Sequence, residues 1–254
     1  MTDPLGLGQL EAIRFRLDDN GVAWVTLARP QAGNSRNQRM REELGRVYAA
    51  VSGSGAVRVL VLTGEGERFF CVGMDLKEAS SGETSEQRRA RLLATRDIDL
   101  LAALPVPTIA AVNGYALGGG LEMALACDLR IAVEDVEVGL PELTHGLVPG
   151  GGGTQRLPRL IGASATLELL YLADRITGLR AAAVGLVNLA VPRSELVTRT
   201  AEIAGRIAAQ PVAALRAAKE LVRLSAEVPL SAGLDREIET LLALLDARDS
   251  ASSG

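Results

Sequence analysis

The sequence predicts an α/β fold in which a largely parallel β-sheet is followed by a helical C-terminal region. Three observations predict it. Short runs rich in Val, Ile and Leu alternate with longer amphipathic segments, glycine-containing loops follow several of these runs, and the end of the chain has helical spacing alone. Strands separated by helical crossovers usually pair in parallel. The 254 residues, 48% hydrophobic and 23% charged, are typical of one large domain, with or without a small appendage.

The first predicted elements are a hairpin, a helix and a strand. The alternating segments 12–17 and 22–29 flank the turn sequence DDNG, which predicts a β-hairpin. Residues 30–37 are polar and predict a loop. Apolar residues then recur at helical spacing over 40–51, and a β-branched run at 57–64 predicts a buried strand.

The middle of the chain repeats this alternation of strands and helices. Residues 64–76 predict a loop, and 85–104 predict one long amphipathic helix. Buried strands are predicted at 107–114 and 128–133. Between them, the stretch 115–127 is expected to begin a helix near its glycines.

The C-terminal part is predicted to be mainly helical. From about residue 154 the spacing is helical except at 186–191, which predicts a last strand, and prolines interrupt the helical pattern of 195–248. We therefore predict an N-terminal β/α core over residues 1–192 and a helical C-terminal region over residues 193–254.

Charge and cysteine usage exclude several classes of function. The net charge is −4 and no basic stripe is present, so a nucleic-acid partner is not expected. The longest nearly uncharged stretch, 100–121, contains prolines and glycines, which argues against a membrane helix. Cys71 and Cys127 lie in apolar runs without a pairing pattern, which is typical of buried thiols in a reducing compartment and predicts a cytoplasmic protein. No cluster has the spacing of metal ligands.

Three segments carry the chemistry. They are residues 69–77, residues 113–122, and residues 139–142 with the glycine run 150–153 behind them. The first two follow predicted strands, where parallel sheets bind ligands. Backbone N–H groups at a helix start have no partner inside the helix, so an N–H near Gly119 and one from the Gly73–Met74 turn are candidates for an oxyanion hole.

Two carboxylates stand in otherwise apolar surroundings, Glu122 and Glu142. Burial favours the neutral acid, and two neighbouring carboxylates separate each other's pKa values. One carboxylate could therefore activate a water while the other donates a proton. Such a pair beside an oxyanion hole suits addition of water next to a carbonyl.

In combination, these segments resemble the crotonase (enoyl-CoA hydratase/isomerase) family. FFCVGMDLKE is similar to the family's F-x-A-G-x-D-[LI] loop, and NGYALGGGLEMALACDLRIA and LPELTHGLVPGGGGTQRLPRLIG resemble its second and third signatures. The resemblance covers about residues 10–225. It implies a spiral of ββα units with a C-terminal trimerisation region, assembled as trimers or dimers of trimers.

The resemblance also implies residue roles. The N–H groups of Met74 and Gly119 would form the oxyanion hole, and Glu122 and Glu142 would be the catalytic acids of the hydratase subgroup. Coenzyme A would be part of the substrate, with no separate cofactor, and its adenine would rest on the turn from Val72 to Leu76. Arg36 lies in a loop from which it could touch a phosphate of the substrate. The residues expected to contact substrate are Arg36, Cys71, Val72, Gly73, Asp75, Leu76, Gly118 and Pro141.

Two departures from the family pattern lead to expectations of their own. Met74 stands where the family usually has a small alanine, so the acyl tunnel is expected to be narrowed or reshaped. The C-terminal region is expected to be shortened relative to the family, without the aromatic residue and Lys-Arg pair that help to cover the coenzyme. The backbone N–H of residue 74 is kept whatever its side chain.

The leading hypothesis is syn addition of water to a trans-2-enoyl-CoA, which gives a 3-hydroxyacyl-CoA. One alternative is an enoyl-CoA Δ3,Δ2-isomerase or another crotonase-type acyl-CoA lyase, because isomerisation needs only one positioned carboxylate. A second is a weakly active or non-catalytic acyl-CoA-binding homo-oligomer. Retention of both Glu122 and Glu142 favours the hydratase.

Overall fold

The computed structural model describes residues 4–75, 78, 82–94 and 96–252. The strands in chain order are β1 Ile13–Leu17, β2 Val22–Leu27, β3 Val59–Gly64, β4 Phe69–Cys71, β5 Thr108–Val112, β6 Tyr115–Leu117, β7 Leu129–Val133, β8 Glu137–Gly139, β9 Ile176–Thr177 and β10 Leu189–Val191. The α-helices are α1 Gln38–Gly53, α2 Ser85–Ala94, α3 Asp97–Ala102, α4 Gly119–Ala126, α5 Gly153–Ile161, α6 Ala163–Leu172, α7 Gly178–Ala183, α8 Leu196–Ala208, α9 Val212–Leu224 and α10 Leu230–Ser252.

The strands form two sheets. The larger has the order β1-β2-β3-β5-β7-β10, and only its β1–β2 hairpin is antiparallel. The smaller has the order β4-β6-β8-β9, with β8 and β9 antiparallel. The predicted hairpin, the largely parallel sheet and the α/β class are confirmed.

A repeated strand–strand–helix unit generates this arrangement. In the pairs β3–β4, β5–β6 and β7–β8, the first strand joins the larger sheet and the second joins the smaller one, and helices follow. The chain therefore winds as a spiral of ββα units. The consequence for function is that the ends of the short second strands, and the helix starts after them, lie side by side.

Helix α1 illustrates why the sequence folds locally as it does. Its N-cap residue Asn37 accepts a hydrogen bond from the Met40 N–H at 2.9 Å, which satisfies one of the free donors of the first turn. Its apolar residues recur every three or four positions and are buried, as the helical spacing predicts. They are Met40, Leu44, Val47, Tyr48 and Val51.

The structure corrects several sequence-based predictions. The loop predicted for 64–76 contains strand β4, and β6, β8 and β9 were not predicted, because strands of two or three residues carry no measurable alternation. The helix predicted over 85–104 is interrupted. Arg96 has a non-helical ψ of 46°, and α3 starts afresh at Asp97. The strand predicted at 186–191 is restricted to β10.

The C-terminal helices differ in how they use their apolar residues. Helix α8 buries Leu196, Thr200, Ala204 and Ala208 and packs against strands of the larger sheet. In α10 large apolar side chains are exposed, namely Leu230, Leu234, Ile238, Leu241 and Leu242. The division at residue 192 stays a prediction. Within the described residues, none of the helices has the length and apolar character needed to cross a bilayer.

Candidate active site

The turn after β4 is held by the loop that precedes α1. The Arg36 N–H donates to the Gly73 carbonyl at 2.8 Å, and the Asp75 N–H donates to the Arg36 carbonyl at 3.2 Å. Arg36 and Met74 therefore form an isolated parallel bridge. This backbone pairing fixes the orientation of the peptide group that carries the Met74 N–H.

Gly73 brings this turn against the start of α4. Its φ of +97° lies where only glycine is readily accommodated, and a Cβ at this position would lie 3.0 Å from the Gly119 nitrogen. Gly118 precedes the helix as its N-cap, with a φ of +53°. The first N–H groups of a helix have no acceptor within it. The structure thus places the Gly73–Met74 turn against the Gly118–Gly119 turn.

Glu122 lies in the first turn of α4 with only 3% of its surface exposed. Its Oε1 accepts hydrogen bonds from the Gly151 N–H at 2.7 Å and the Gly153 N–H at 2.9 Å. Two donors on one oxygen fix the side-chain rotamer and match a negatively charged acceptor. The glycine run 150–153 therefore serves to orient this carboxylate, a role that was not predicted for it.

Glu142 reaches the same place from the short 3₁₀ helix Pro141–His145, which begins at the conformationally fixed Pro141. Its Oε1 lies 3.1 Å from the position that a Cβ on Gly118 would occupy. Its Oε2 is buried and has no hydrogen-bond partner in the described part of the chain. Burial, and after it the charge of Glu122, raises the pKa of Glu142 above its ordinary value.

The two carboxylates are thus adjacent but unlike. Glu122 approaches Gly119, with its Oε2 3.7 Å from the position that a Cβ would occupy there, while Glu142 approaches the neighbouring Gly118. Glu122 is saturated by backbone donors on one oxygen, whereas Glu142 retains an oxygen without a donor in the described part of the chain. Such an arrangement suits one carboxylate that takes a proton and another that donates one.

Arg36 was predicted to contact a phosphate, but the structure places its side chain in the interior. The residue is 7% exposed, and its Nη1 donates to both carboxylate oxygens of Asp97 at 2.7 Å. Asp97 is itself 3% exposed. The phosphate interpretation of Arg36 is therefore wrong, because the guanidinium faces inward, towards α3 and α4. Sequence reasoning also missed Asp97, which falls in what was predicted to be one long amphipathic helix.

The remaining predicted substrate contacts surround the same turn. The Cys71 side chain is fully buried, its sulfur accepts from the Gly73 N–H at 3.4 Å, and burial raises its pKa, so it supports the turn from within the core. Val72 packs against Gly33. Asp75 forms an ion pair with Arg29 at 2.9 Å. Leu76 lies outside the described residues.

No group of three or more His, Cys, Asp or Glu side chains in the described part of the chain is arranged to hold a metal ion. The cysteines Cys71 and Cys127 are unpaired and buried. The polar groups described at the site are backbone N–H groups, the carboxylates of Glu122 and Glu142, and the buried guanidinium of Arg36.

The chain is similar to known proteins over most of its length. The enoyl-CoA hydratase/isomerase family model matches residues 18–253. The chain is 38% identical to a short-chain-enoyl-CoA hydratase of Clostridium acetobutylicum, over 87% of this chain and 82% of that protein. A crystal structure of an enoyl-CoA hydratase from Bacillus anthracis is similar at a TM-score of 0.89 and 40% identity, covering 93% of this chain and 92% of the other. A Thermobifida fusca structure in complex with CoA has a TM-score of 0.86 and 30% identity, covering 97% and 96%.

Proposed function

This chain belongs to the enoyl-CoA hydratase/isomerase family, and we propose that it is an enoyl-CoA hydratase. The reaction is syn addition of water to a trans-2-enoyl-CoA, which gives a 3-hydroxyacyl-CoA. The observation that carries the proposal is the pair of unlike carboxylates, Glu122 and Glu142, beside the contact between Gly73 and Gly119.

The thioester oxygen is proposed to lie between the N–H groups of Met74 and Gly119. As water attacks C3, the π electrons of the C2=C3 bond move towards the thioester and negative charge develops on its oxygen. Fixed N–H donors stabilise that charge without reorganisation, and removal of one such donor typically costs about 10²–10³ in kcat. The close approach of Gly73 to Gly119 supports this arrangement, because it brings both turns to one place.

The carboxylates are proposed to move the protons. Glu122, oriented by two backbone donors, takes a proton from the water whose oxygen bonds to C3. Glu142, whose pKa is raised by burial, gives its proton to C2. The proton held by Glu122 then passes to Glu142 through a water between them, so the enzyme is unchanged and one water has been added.

The test is steady-state hydration of crotonyl-CoA, the shortest straight-chain member of the substrate class, by Glu122→Gln and Glu142→Gln. Each variant is expected to lose about 10²–10⁴ in kcat, as positioned acids and bases generally do. Glu137→Gln is the matched control, because Glu137 lies on β8 in an ion pair with Arg175. Near-wild-type rates in both site variants would exclude the mechanism.

A substrate panel separates the alternatives. If the protein shifts the double bond of a 3-enoyl-CoA faster than it hydrates a 2-enoyl-CoA, it is an isomerase. If it binds acyl-CoA by calorimetry and turns over neither thioester, it is an acyl-CoA-binding protein. Retention of a second carboxylate, the half-buried Glu142, favours hydration over both outcomes.

The proposal extends to the cofactor, the oligomeric state and the location of the protein. Coenzyme A enters as part of the substrate, and the chemistry above uses no separate cofactor. Self-association as a trimer or dimer of trimers is proposed from family membership and the exposed apolar residues of α10, and light scattering tests it. A cytoplasmic location rests on two buried, unpaired thiols, which fit a reducing compartment.

A further inference from the structure

The ion pair between Arg36 and Asp97 lies directly behind the proposed oxyanion hole. The backbone of Arg36 brackets the turn that carries Met74, through its bonds to Gly73 and Asp75. Its side chain then runs beneath the start of α4, where Nη2 lies 2.8 Å from the position of a Cβ on Gly119. A single residue therefore contacts both turns that are proposed to donate to the thioester oxygen.

The guanidinium also lies close to Glu122, since the position of a Cβ on Gly119 is 2.8 Å from Arg36 Nη2 and 3.7 Å from Glu122 Oε2. Burial alone would lower the pKa of Arg36, but Asp97, then Cys71 and Glu122, outweigh this effect and raise it above the ordinary value. The short distances from both side chains to Gly119 therefore mean that Arg36 places a positive charge near Glu122. Asp97 offsets that charge from the first residue of α3, where the helix dipole favours a carboxylate.

Stability gives little reason for such a pair. A buried ion pair is often no more stable than well-packed apolar residues of similar volume, because both charges must be removed from water. This pair also leaves a polar group unsatisfied. Arg36 Nε is buried without a hydrogen-bond partner in the described part of the chain. The pair is therefore better explained by its contacts with the two turns of the site and by the charge that it places near Glu122.

We propose that Arg36 is a positioning residue for hydration, held by Asp97, which fixes the Met74 and Gly119 turns in register and presents positive charge to Glu122. This inference rests on the proposed function. The guanidinium needs no contact with substrate, since it acts through the two peptide N–H groups and through the carboxylate.

The decisive comparison is between single and paired apolar variants. Arg36→Met leaves Asp97 unpaired in the interior and is expected to lower the melting temperature. Arg36→Met/Asp97→Leu removes both charges and is expected to recover most of the melting temperature. In the paired variant kcat for crotonyl-CoA is still expected to be reduced about 10- to 100-fold, because small misplacements of catalytic groups have effects of that size. KM is expected to change much less.

A second measurement requires no turnover. The infrared stretch of a ¹³C-labelled thioester carbonyl in bound butyryl-CoA, which has no double bond to hydrate, reports the pull of the oxyanion hole. The wild type is expected to lower that frequency on binding, and the paired variant is expected to lose about half of the shift or more. Arg130→Met is the control. Arg130 is also buried, but it donates to the Cys127 and Leu186 carbonyls at the far end of α4, so the carbonyl shift is expected to stay.

The outcomes separate the two proposals. If the paired variant recovers stability, kcat and the carbonyl shift together, the pair is only structural and the inference is overturned. If the wild type binds butyryl-CoA with a lowered carbonyl frequency but does not hydrate crotonyl-CoA, the hydratase assignment fails while the infrared comparison still decides the role of Arg36. A wild type that shows no carbonyl shift overturns the inference directly.

Discussion

The Gly151 N–H donates to Glu122 Oε1 at 2.7 Å, and the other oxygen of this carboxylate leaves no room for a side chain at position 151. A Cβ on Gly151 would lie 2.5 Å from Glu122 Oε2 and 2.7 Å from Ile98 Cδ1. Gly151→Ala is therefore expected to displace Glu122 and to lower kcat for crotonyl-CoA by about 10- to 100-fold.

The adjacent glycine provides the control for this substitution. A Cβ on Gly150 would meet no atom of the described residues within 4 Å, so Gly150→Ala is expected to keep the wild-type rate. Steady-state kinetics on the two variants, together with their melting temperatures, check the prediction. Equal losses in both would mean that the loop as a whole, and not the contact with Glu122, governs the rate.

The raised pKa of Glu142 predicts a pH-dependent stability difference. In the folded protein this pKa lies above the ordinary value of 4.5, chiefly because of burial. The stability contributed by protonated Glu142 is fully present below the unfolded pKa and is lost as the pH rises through the folded pKa. Glu142→Gln cannot ionise, so its free energy of unfolding is expected to rise relative to the wild type over that interval.

Urea unfolding of both proteins at a series of pH values, from about pH 4 to about pH 8, checks this prediction. The quantity to compare is the free energy of unfolding of Glu142→Gln minus that of the wild type, followed as a function of pH. Its absolute value is not informative, since the substitution has pH-independent effects of its own. A difference that falls as the pH rises would mean that Glu142 is stabilised as a carboxylate in the folded state. It would also remove the reason for making Glu142 the proton donor.

Much of this site could be predicted from the sequence because its parts are local. The Gly118–Gly120 run, Glu122 and the turn at Gly73 each lie next to a recognisable strand or helix. The second sheet could not be predicted, because its strands are too short for periodicity and their partners are distant in sequence. The Arg36–Asp97 pair was missed for a similar reason. Its members are 61 residues apart, and each alone resembles an ordinary surface charge.

Met74 is 38% exposed, and its side chain is expected to affect substrate choice more than the chemical step. Met74→Ala keeps the backbone N–H, so kcat for crotonyl-CoA is expected to stay within about threefold of the wild type. A smaller side chain is expected to change the relative kcat/KM of longer enoyl thioesters by about tenfold or more, the size of effect that one or two methylene groups produce in a pocket. A chain-length series measured on both proteins checks this. A large loss of kcat for crotonyl-CoA would show that the side chain, and not the N–H, is what the site needs from residue 74.

The contact between Gly73 and Gly119 can be separated from backbone strain by a matched pair of substitutions. Gly73 and Gly82 have nearly the same φ, +97° and +98°, so an alanine at either carries a similar conformational cost of about 1–3 kcal/mol. Only at Gly73 would the new Cβ meet another part of the chain, 3.0 Å from the Gly119 nitrogen, because the space around Gly82 is open among the described residues. Gly73→Ala is therefore expected to push the two N–H donors apart and lower kcat about 10²-fold, while Gly82→Ala is expected to lose stability with little change in rate. Since the strain is common to both, a similar kcat in the two variants at a temperature where both are folded would mean that the spacing of these turns does not control catalysis.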